Sequence, residues 1–341
     1  MDELIYFYPS GHEDHYEPGH PESPERIEII RESLIKVNWW EKFPKITWTE
    51  LPQTLLESVH NPAYLNLLEL ACKRGSHLDM DTYTTPFSWK LAKQAAGGAV
   101  SVVSAVWNGK ARRGIALTRP PGHHAMRGQG MGFCLLNNIA LAAEYLIQNE
   151  DAKTLAIVDL DLHHGNGTQN IFWKRGDVFY ISTHQSPFYP GSGSIEEIGV
   201  GDGFKRTANF PLPPGSGDVA FITIMDELIL KLLDLHKPEM ILVSYGYDTH
   251  WSDPLGQLLL SAKGYRMLIE RLVCWADQNC HGRIALIMEG GYNLDAGCAC
   301  TQAVISALLG IDWQDYLGYA SYPEGNAWKE MFRHAKNLWG L

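Results

Sequence analysis

The sequence predicts an α/β fold: a single three-layer domain with a central, mostly parallel sheet flanked by helices. Three observations lead there. Apolar runs of strand length alternate with stretches of helical length along the whole chain. The strand runs are near-continuously apolar, as in parallel sheets covered on both faces. The 341 residues contain no low-complexity linker, internal repeat or charge block, so residues 1–341 read as one domain.

Strands are predicted at Leu4–Tyr8, Gly114–Thr118, Thr154–Leu160, Asp177–Thr183, Met240–Gly246 and Arg283–Glu289, each an apolar run of strand length. Helices are predicted at Pro24–Val37, Trp89–Trp107, Leu135–Gln148, Val219–Leu235, Ala262–Asn279 and Ala296–Leu309, which are amphipathic or rich in small residues over helical lengths. Trp39-Trp40 reads as core or interface packing.

Composition narrows the function. A net charge of −11 argues against a nucleic-acid partner, which needs a basic footprint, and tolerates cationic substrates. No run approaches the roughly 18 apolar residues of a membrane span, and the opening Met-Asp-Glu is unlike a signal peptide, so no membrane partner and a cytoplasmic location are expected. The six cysteines have neither zinc-finger spacing nor the density of a disulfide scaffold. They read as reduced thiols, with Cys298 and Cys300 packed in the core.

Five predicted strands run into polar clusters at their C-terminal ends: Arg119-Pro-Pro-Gly-His-His124, Asp161-Leu-His-His164, Ser182-Thr-His-Gln185, Tyr247-Asp-Thr-His250 and Glu289-Gly-Gly-Tyr292. Ligands of open parallel sheets bind beyond the carboxyl ends of the strands, so these clusters point to one site. Within it, Asp159, Asp161 and His163 alternate along an extended chain and project to one side. Catalytic zinc takes three protein ligands and keeps one open position. If one of these three groups is a support, Asp248 is the candidate distant ligand. A calcium loop is disfavoured, because the run follows a buried-type strand and lacks an oxygen-rich periodicity. His12, His15 and His20 read as rim or solvated histidines in preference to a second metal site, and the Gly191 and Gly199 loops lack the ending of a phosphate loop.

With His20-Pro-Glu-Ser-Pro-Glu-Arg26, Gly130-Met-Gly-Phe-Cys134, Asn209-Phe-Pro-Leu-Pro and Asp253-Pro-Leu-Gly added in order, the chain resembles the zinc-dependent deacetylases of the histone deacetylase and acetylpolyamine amidohydrolase family. The likeness is to the class II-like, bacterial type, and the family shares its fold with arginase. It implies one Zn2+ held by Asp161, His163 and Asp248, and a structural K+ near Asp159, Asp161, His163 and Ser182. It further implies that His123 and His124 flank the catalytic water, with Asp159 supporting His123, Asn166 supporting His124, and His124 as proton shuttle. Tyr292 is then the donor to the substrate carbonyl. Phe133 and Tyr189 wall a narrow tunnel, Gly132 accepts the substrate amide, and Leu255 stands where polyamine-selective relatives place a glutamate.

Independent chemistry agrees. Two aspartates offset the zinc charge and leave its water less acidic than three imidazoles would, so a base is needed, and the histidine pair supplies one. Glycines around Tyr292 are expected to let its phenol swing in. The resemblance implies hydrolysis of an acyl-lysine side-chain amide in a protein or peptide; the alternative is an acetylated polyamine or other small N-acetylamine. Leu255, and a Gly75–Trp89 segment too short for an inserted dimerisation loop, favour acyl-lysine, while an oligomer stays open. An arginase-like hydrolase would need a second metal and more bridging aspartates, and a non-catalytic acyl-group binder would not need His123, His124 and Tyr292.

Overall fold

A computed structural model describes residues 2–341. Its elements in chain order are β1 (Asp2–Phe7), α1 (Glu25–Lys36), α2 (Gln53–Val59), α3 (Pro62–Arg74), α4 (Ser88–Trp107), β2 (Ala111–Ala116), α5 (Asn138–Asn149), β3 (Leu155–Asp159) and α6 (Asn166–Phe172). There follow β4 (Val178–Gln185), β5 (Thr207–Leu212), α7 (Asp218–Ile224), α8 (Leu230–His236), β6 (Ile241–Tyr245), α9 (Ala262–Asn279), β7 (Ile284–Met288), α10 (Leu294–Leu309) and α11 (Trp328–Trp339).

The seven strands form one sheet in the order β1-β2-β7-β6-β3-β4-β5, and every pairing is parallel. From β3 the chain proceeds outward through β4 and β5, and later fills the other side with β6 and β7. The direction of winding therefore changes between β3 and β6, where doubly wound sheets open a crevice for ligands.

Side-chain alternation separates two cores. Ala156, Val158, Phe179, Val243 and Leu286 pack on the side of α1, α9, α10 and α11. Leu155, Ile157, Tyr180, Leu242 and Ile287 pack on the side of α2, α3, α4 and α5. Strands buried on both faces are why the runs look continuously apolar in sequence. The α5, α9 and α10 helices are started by Asn137, Ser261 and Asn293, whose side chains accept the Ala140, Gly264 and Ala296 N–H groups; such caps contribute about 1 kcal/mol each. Helix α4 lies close because it carries glycines: a Cβ on Gly97 would overlap the Thr49 carbonyl oxygen, and one on Gly98 the Phe7 ring.

The six predicted strands are present with shifted ends, and α9 spans the predicted Ala262–Asn279. Strand β5 was not predicted: Pro211 interrupts its pattern, which the sheet tolerates because β5 is an edge strand. Helices α2, α3, α6 and α11 were also missed. The predicted Val219–Leu235 helix is divided by a π-helical turn at Met225–Ile229. All six cysteines are free, and only Cys274 is exposed. Among the described residues no helix is long and apolar enough to cross a membrane.

Two stability predictions follow from the packing. Gly97→Ala drives a methyl group into a backbone carbonyl and is expected to cost about 1–3 kcal/mol in urea unfolding. Burial depresses His15 to about 3 and His60 and His250 to about 4. Above about pH 6.5 these imidazoles are neutral in both states; below it the unfolded chain binds protons that the fold refuses. The unfolding midpoint is therefore expected to fall as pH drops from 6.5 towards 4, and a flat profile would contradict this assignment.

Candidate active site

Three of the five polar strand ends line one cavity of about 300 Å³, formed by His123, His124, Gly132, Phe133, His163, Phe188, Tyr189, Leu255, Gly290 and Tyr292, with Pro21, Asp81 and Pro121; a fourth brings Asp248 to His163 behind the lining. The fifth end turns away: His184 bonds Ser182 Oγ at 2.9 Å and the Gly193 carbonyl at 3.1 Å, and does not line the cavity. His164 also points elsewhere, towards Ser192 and Gln169.

The geometry separates supports from candidate metal ligands. Both Asp159 oxygens are engaged: Oδ1 accepts the Asp161 N–H, and Oδ2 faces His123 Nδ1 at 3.1 Å and the Tyr180 hydroxyl at 3.0 Å. Asp161 and Asp248 instead present one oxygen each to His163 Nδ1, both at 3.2 Å. Among the described residues, Asp161, His163 and Asp248 form the only group of three or more such side chains able to hold a metal, with all ligand atoms within 4.8 Å of one another. Metal bonds of about 2.0–2.2 Å to nitrogen and oxygen place tetrahedral ligands about 3.3 Å apart, so this set fits zinc. The remaining oxygens are fixed by backbone, Asp161 Oδ2 accepting the Gly290 N–H at 2.8 Å and Asp248 Oδ1 the Leu162 N–H at 2.9 Å.

The histidine pair is differentiated by its partners. The rings of His123 and His124 lie 4.1 Å apart. His124 Nδ1 donates to Asn166 Oδ1 at 2.7 Å, which leaves Nε2 with a free lone pair. Burial would depress His123, but the Asp161 and Asp159 carboxylates override it and raise it to about 10. Burial and the neighbouring His123 and His163 hold His124 well below its ordinary value. A histidine favouring its cation thus stands beside one favouring its neutral form, the separation expected of an acid and a base.

Aromatic side chains surround these groups. Gly132 and Phe133 occupy the centre of a tight turn closed by Cys134 N–H to the Met131 carbonyl at 2.9 Å. Both have positive φ, +55° and +67°, as a type I′ turn requires. Phe133 is held there by its N–H on Thr82 Oγ1 at 3.1 Å, and its ring meets Tyr292 edge-on at 5.7 Å. Tyr189 stands edge-on to His124 at 5.3 Å. Phe188, which sequence reasoning passed over, tilts against His163 at 5.4 Å.

The backbone of the Tyr292 loop is tied down. Arg26 donates to the Gly291 and Glu289 carbonyls, both at 2.6 Å, and its guanidinium lies 5.0 Å from the centre of the Tyr292 ring. Glu22 pairs with Arg26 at 3.1 Å and with Arg119 at 2.8 Å, all fully buried. The Gly290 amide is on Asp161, and Gly291 has φ +117° with the Tyr247 ring against it. The glycines serve close approach to their neighbours. His12 and His15 are buried structural residues, whereas His20 meets the Phe133 ring at 4.6 Å. Asp81, also missed, comes from the α3–α4 connection, whose only sequence signal was its place in a short polar loop.

Comparisons with known proteins agree with this architecture. Residues 20–308 match the family model described as a histone deacetylase domain. The chain is 39% identical over 299 residues to a probable deacetylase of Archaeoglobus fulgidus, covering 86% of this chain and 83% of the relative. It is 34% identical to a histone deacetylase-like amidohydrolase of Pseudomonas aeruginosa, with 86% and 78% covered. The solved structure of the HDA15 HD domain superposes with a TM-score of 0.90 at 31% identity, over 99% of this chain and 95% of that one. On this match, running across nearly the whole sheet and all of the cavity, the chain belongs to the histone deacetylase family and is a deacetylase.

Proposed function

We propose that the protein removes acyl groups, acetyl above all, from acyl-lysine side chains in proteins or peptides, with one zinc ion held by Asp161, His163 and Asp248. The observation that carries this reading is an aromatic-walled cavity, between Phe133, Phe188 and Tyr189, that ends on the histidine pair and on His163, behind which Asp161 and Asp248 complete the candidate ligand set. An aliphatic lysine stem suits aromatic faces, and Leu255 adds an apolar side chain to the lining.

The chemistry that bound zinc supplies is Lewis-acid polarisation of the amide carbonyl and acidification of water. The chain's own residues do the rest. Asn166 orients His124 so that Nε2 takes the proton of the attacking water, and the same group then protonates the departing amine. His123, oriented by Asp159, offers a second N–H to developing negative charge. Tyr292, whose phenol burial holds well above its ordinary pKa, stays protonated and donates to the carbonyl oxygen as it becomes an oxyanion. Gly132, in the cavity lining, is the acceptor for the substrate amide N–H in this reading. A structural potassium ion, as the resemblance implies, would be held partly by backbone oxygens near Asp159, Asp161, His163 and Ser182.

Asp81 in the cavity lining favours a second reading, in which a carboxylate meets the free ammonium of an acetylated polyamine. The deciding experiment is kcat/KM of the zinc-loaded protein on an acetyl-lysine peptide and on N-acetylputrescine. Preference for the peptide is expected, with Tyr292→Phe costing about 10²–10³ in kcat; preference for the polyamine overturns the primary reading.

Two substitutions probe individual roles. Asn166→Asp places a negative charge on His124 Nδ1 and raises the imidazole pKa, so the limb of the pH–rate profile that requires neutral His124 moves to higher pH. An unmoved limb would remove Asn166 from this role. Leu255→Glu is expected to raise turnover of acetylated polyamines relative to acetyl-lysine peptides, and an unchanged ratio would exclude Leu255 as a selectivity residue.

A further inference from the structure

Asp253 lies in the turn after β6, is 5% exposed and does not line the cavity. None of the ion pairs among the described residues involves it. Its carboxylate is satisfied by backbone alone. Oδ2 accepts the N–H groups of Tyr292 at 2.7 Å and Asn293 at 3.1 Å, while Oδ1 accepts that of Leu255 at 3.0 Å. Burying a carboxylate without a cation is costly, and three converging amides offset that cost only while all three stay in place.

The two segments so joined carry different parts of the site. One bears Tyr292, the proposed oxyanion donor; the other bears Leu255, the apolar residue of the lining. Asn293 adds a second tie between them, donating from Nδ2 to the Ser252 carbonyl at 3.0 Å, and its Oδ1 starts α10. A displacement of Leu255 therefore pulls on the same carboxylate that fixes the Tyr292 backbone.

We propose that Asp253 is a positioning residue that couples Leu255 to Tyr292, so that a substrate fitting poorly past Leu255 loses kcat as well as affinity. This rests on the function proposed above. Small misplacement of a catalytic donor is expensive in rate, which makes such coupling a means of selectivity.

The test combines a double-mutant cycle with hydrogen exchange on the full-length, zinc-loaded protein. Asp253→Ala is expected to lower kcat on the acetyl-lysine peptide about tenfold or more, yet less than about twofold further in a Tyr292→Phe background, because the effect runs through the phenol. An equal loss in both backgrounds, or none in either, would overturn the proposal. Exchange is read independently of turnover. In Asp253→Ala the peptides containing Leu255 and those containing Tyr292 and Asn293 should both lose protection. In Asp253→Asn, which folds more safely, the single remaining oxygen is expected to keep the two amides of Tyr292 and Asn293 and release Leu255. Unchanged exchange in both segments would sink the coupling whatever the kinetics show. If Tyr292→Phe alone leaves turnover intact, the function reading fails while the exchange result still decides the role of Asp253.

Discussion

Asp159, Asp161, Asp248 and Glu289 are all fully buried at one end of the sheet, and the containment of this negative charge is the constraint on which the remaining architecture rests. Like charges a few ångströms apart in a low-dielectric interior repel strongly, and each also loses its hydration. Burial accordingly pushes Glu289 up to about 7, and raises Asp159 and Asp248. The fold answers with donors. Glu289 Oε2 accepts the Gly122 and His123 N–H groups at 2.6 and 3.1 Å, and Oε1 the Ser244 hydroxyl at 3.0 Å. Two imidazoles and the amides of Leu162 and Gly290 serve the aspartates, and the proposed zinc ion at Asp161, His163 and Asp248 would complete the balance.

That requirement explains local sequence as well as chemistry. The amides can reach the carboxylates only if the strand ends approach without side chains, and a Cβ at Gly246 or Gly290 would collide with the Asp161 carboxylate. Parallel pairing of β3 with β6 brings Asp159 level with Ser244, so Asp161 and Asp248 leave adjacent strands at the switch in winding. Behind the cavity, the buried Glu22, Arg26 and Arg119 fasten the segment before α1 to the Tyr292 loop. Catalytic groups held this way need little reorganisation as charge develops.

Much of this was legible in the sequence, and the reasons for the gaps are physical. Alternating apolar runs locate six strands because burial on both faces leaves a strong signal. Edge strand β5 lacks it, with Pro211 in its course. The resemblance placed His123, His124, Asp161, His163, Asp248 and Tyr292 at a common site, and they stand together in the structure; the alternation of Asp159, Asp161 and His163 alone left open which carboxylate is the support, and the bonds of Asp159 to His123 and Tyr180 favour Asp159. Phe188, Asp81 and the contacts of Asp253 escaped because each depends on long-range folding of a loop. Their neighbours in sequence reveal nothing of a Phe188 ring against His163, or of a carboxylate accepting a backbone amide 39 residues away.

On the reading proposed above, the buried acidic cluster is built around one zinc ion and not a metal pair. Metal content of the purified protein, by elemental analysis alongside its Asp248→Ala variant, tests it most directly. One zinc per chain is expected, lost or strongly weakened in the variant. Two transition-metal ions per chain, as an arginase-type centre requires, or full zinc occupancy without Asp248, would contradict it.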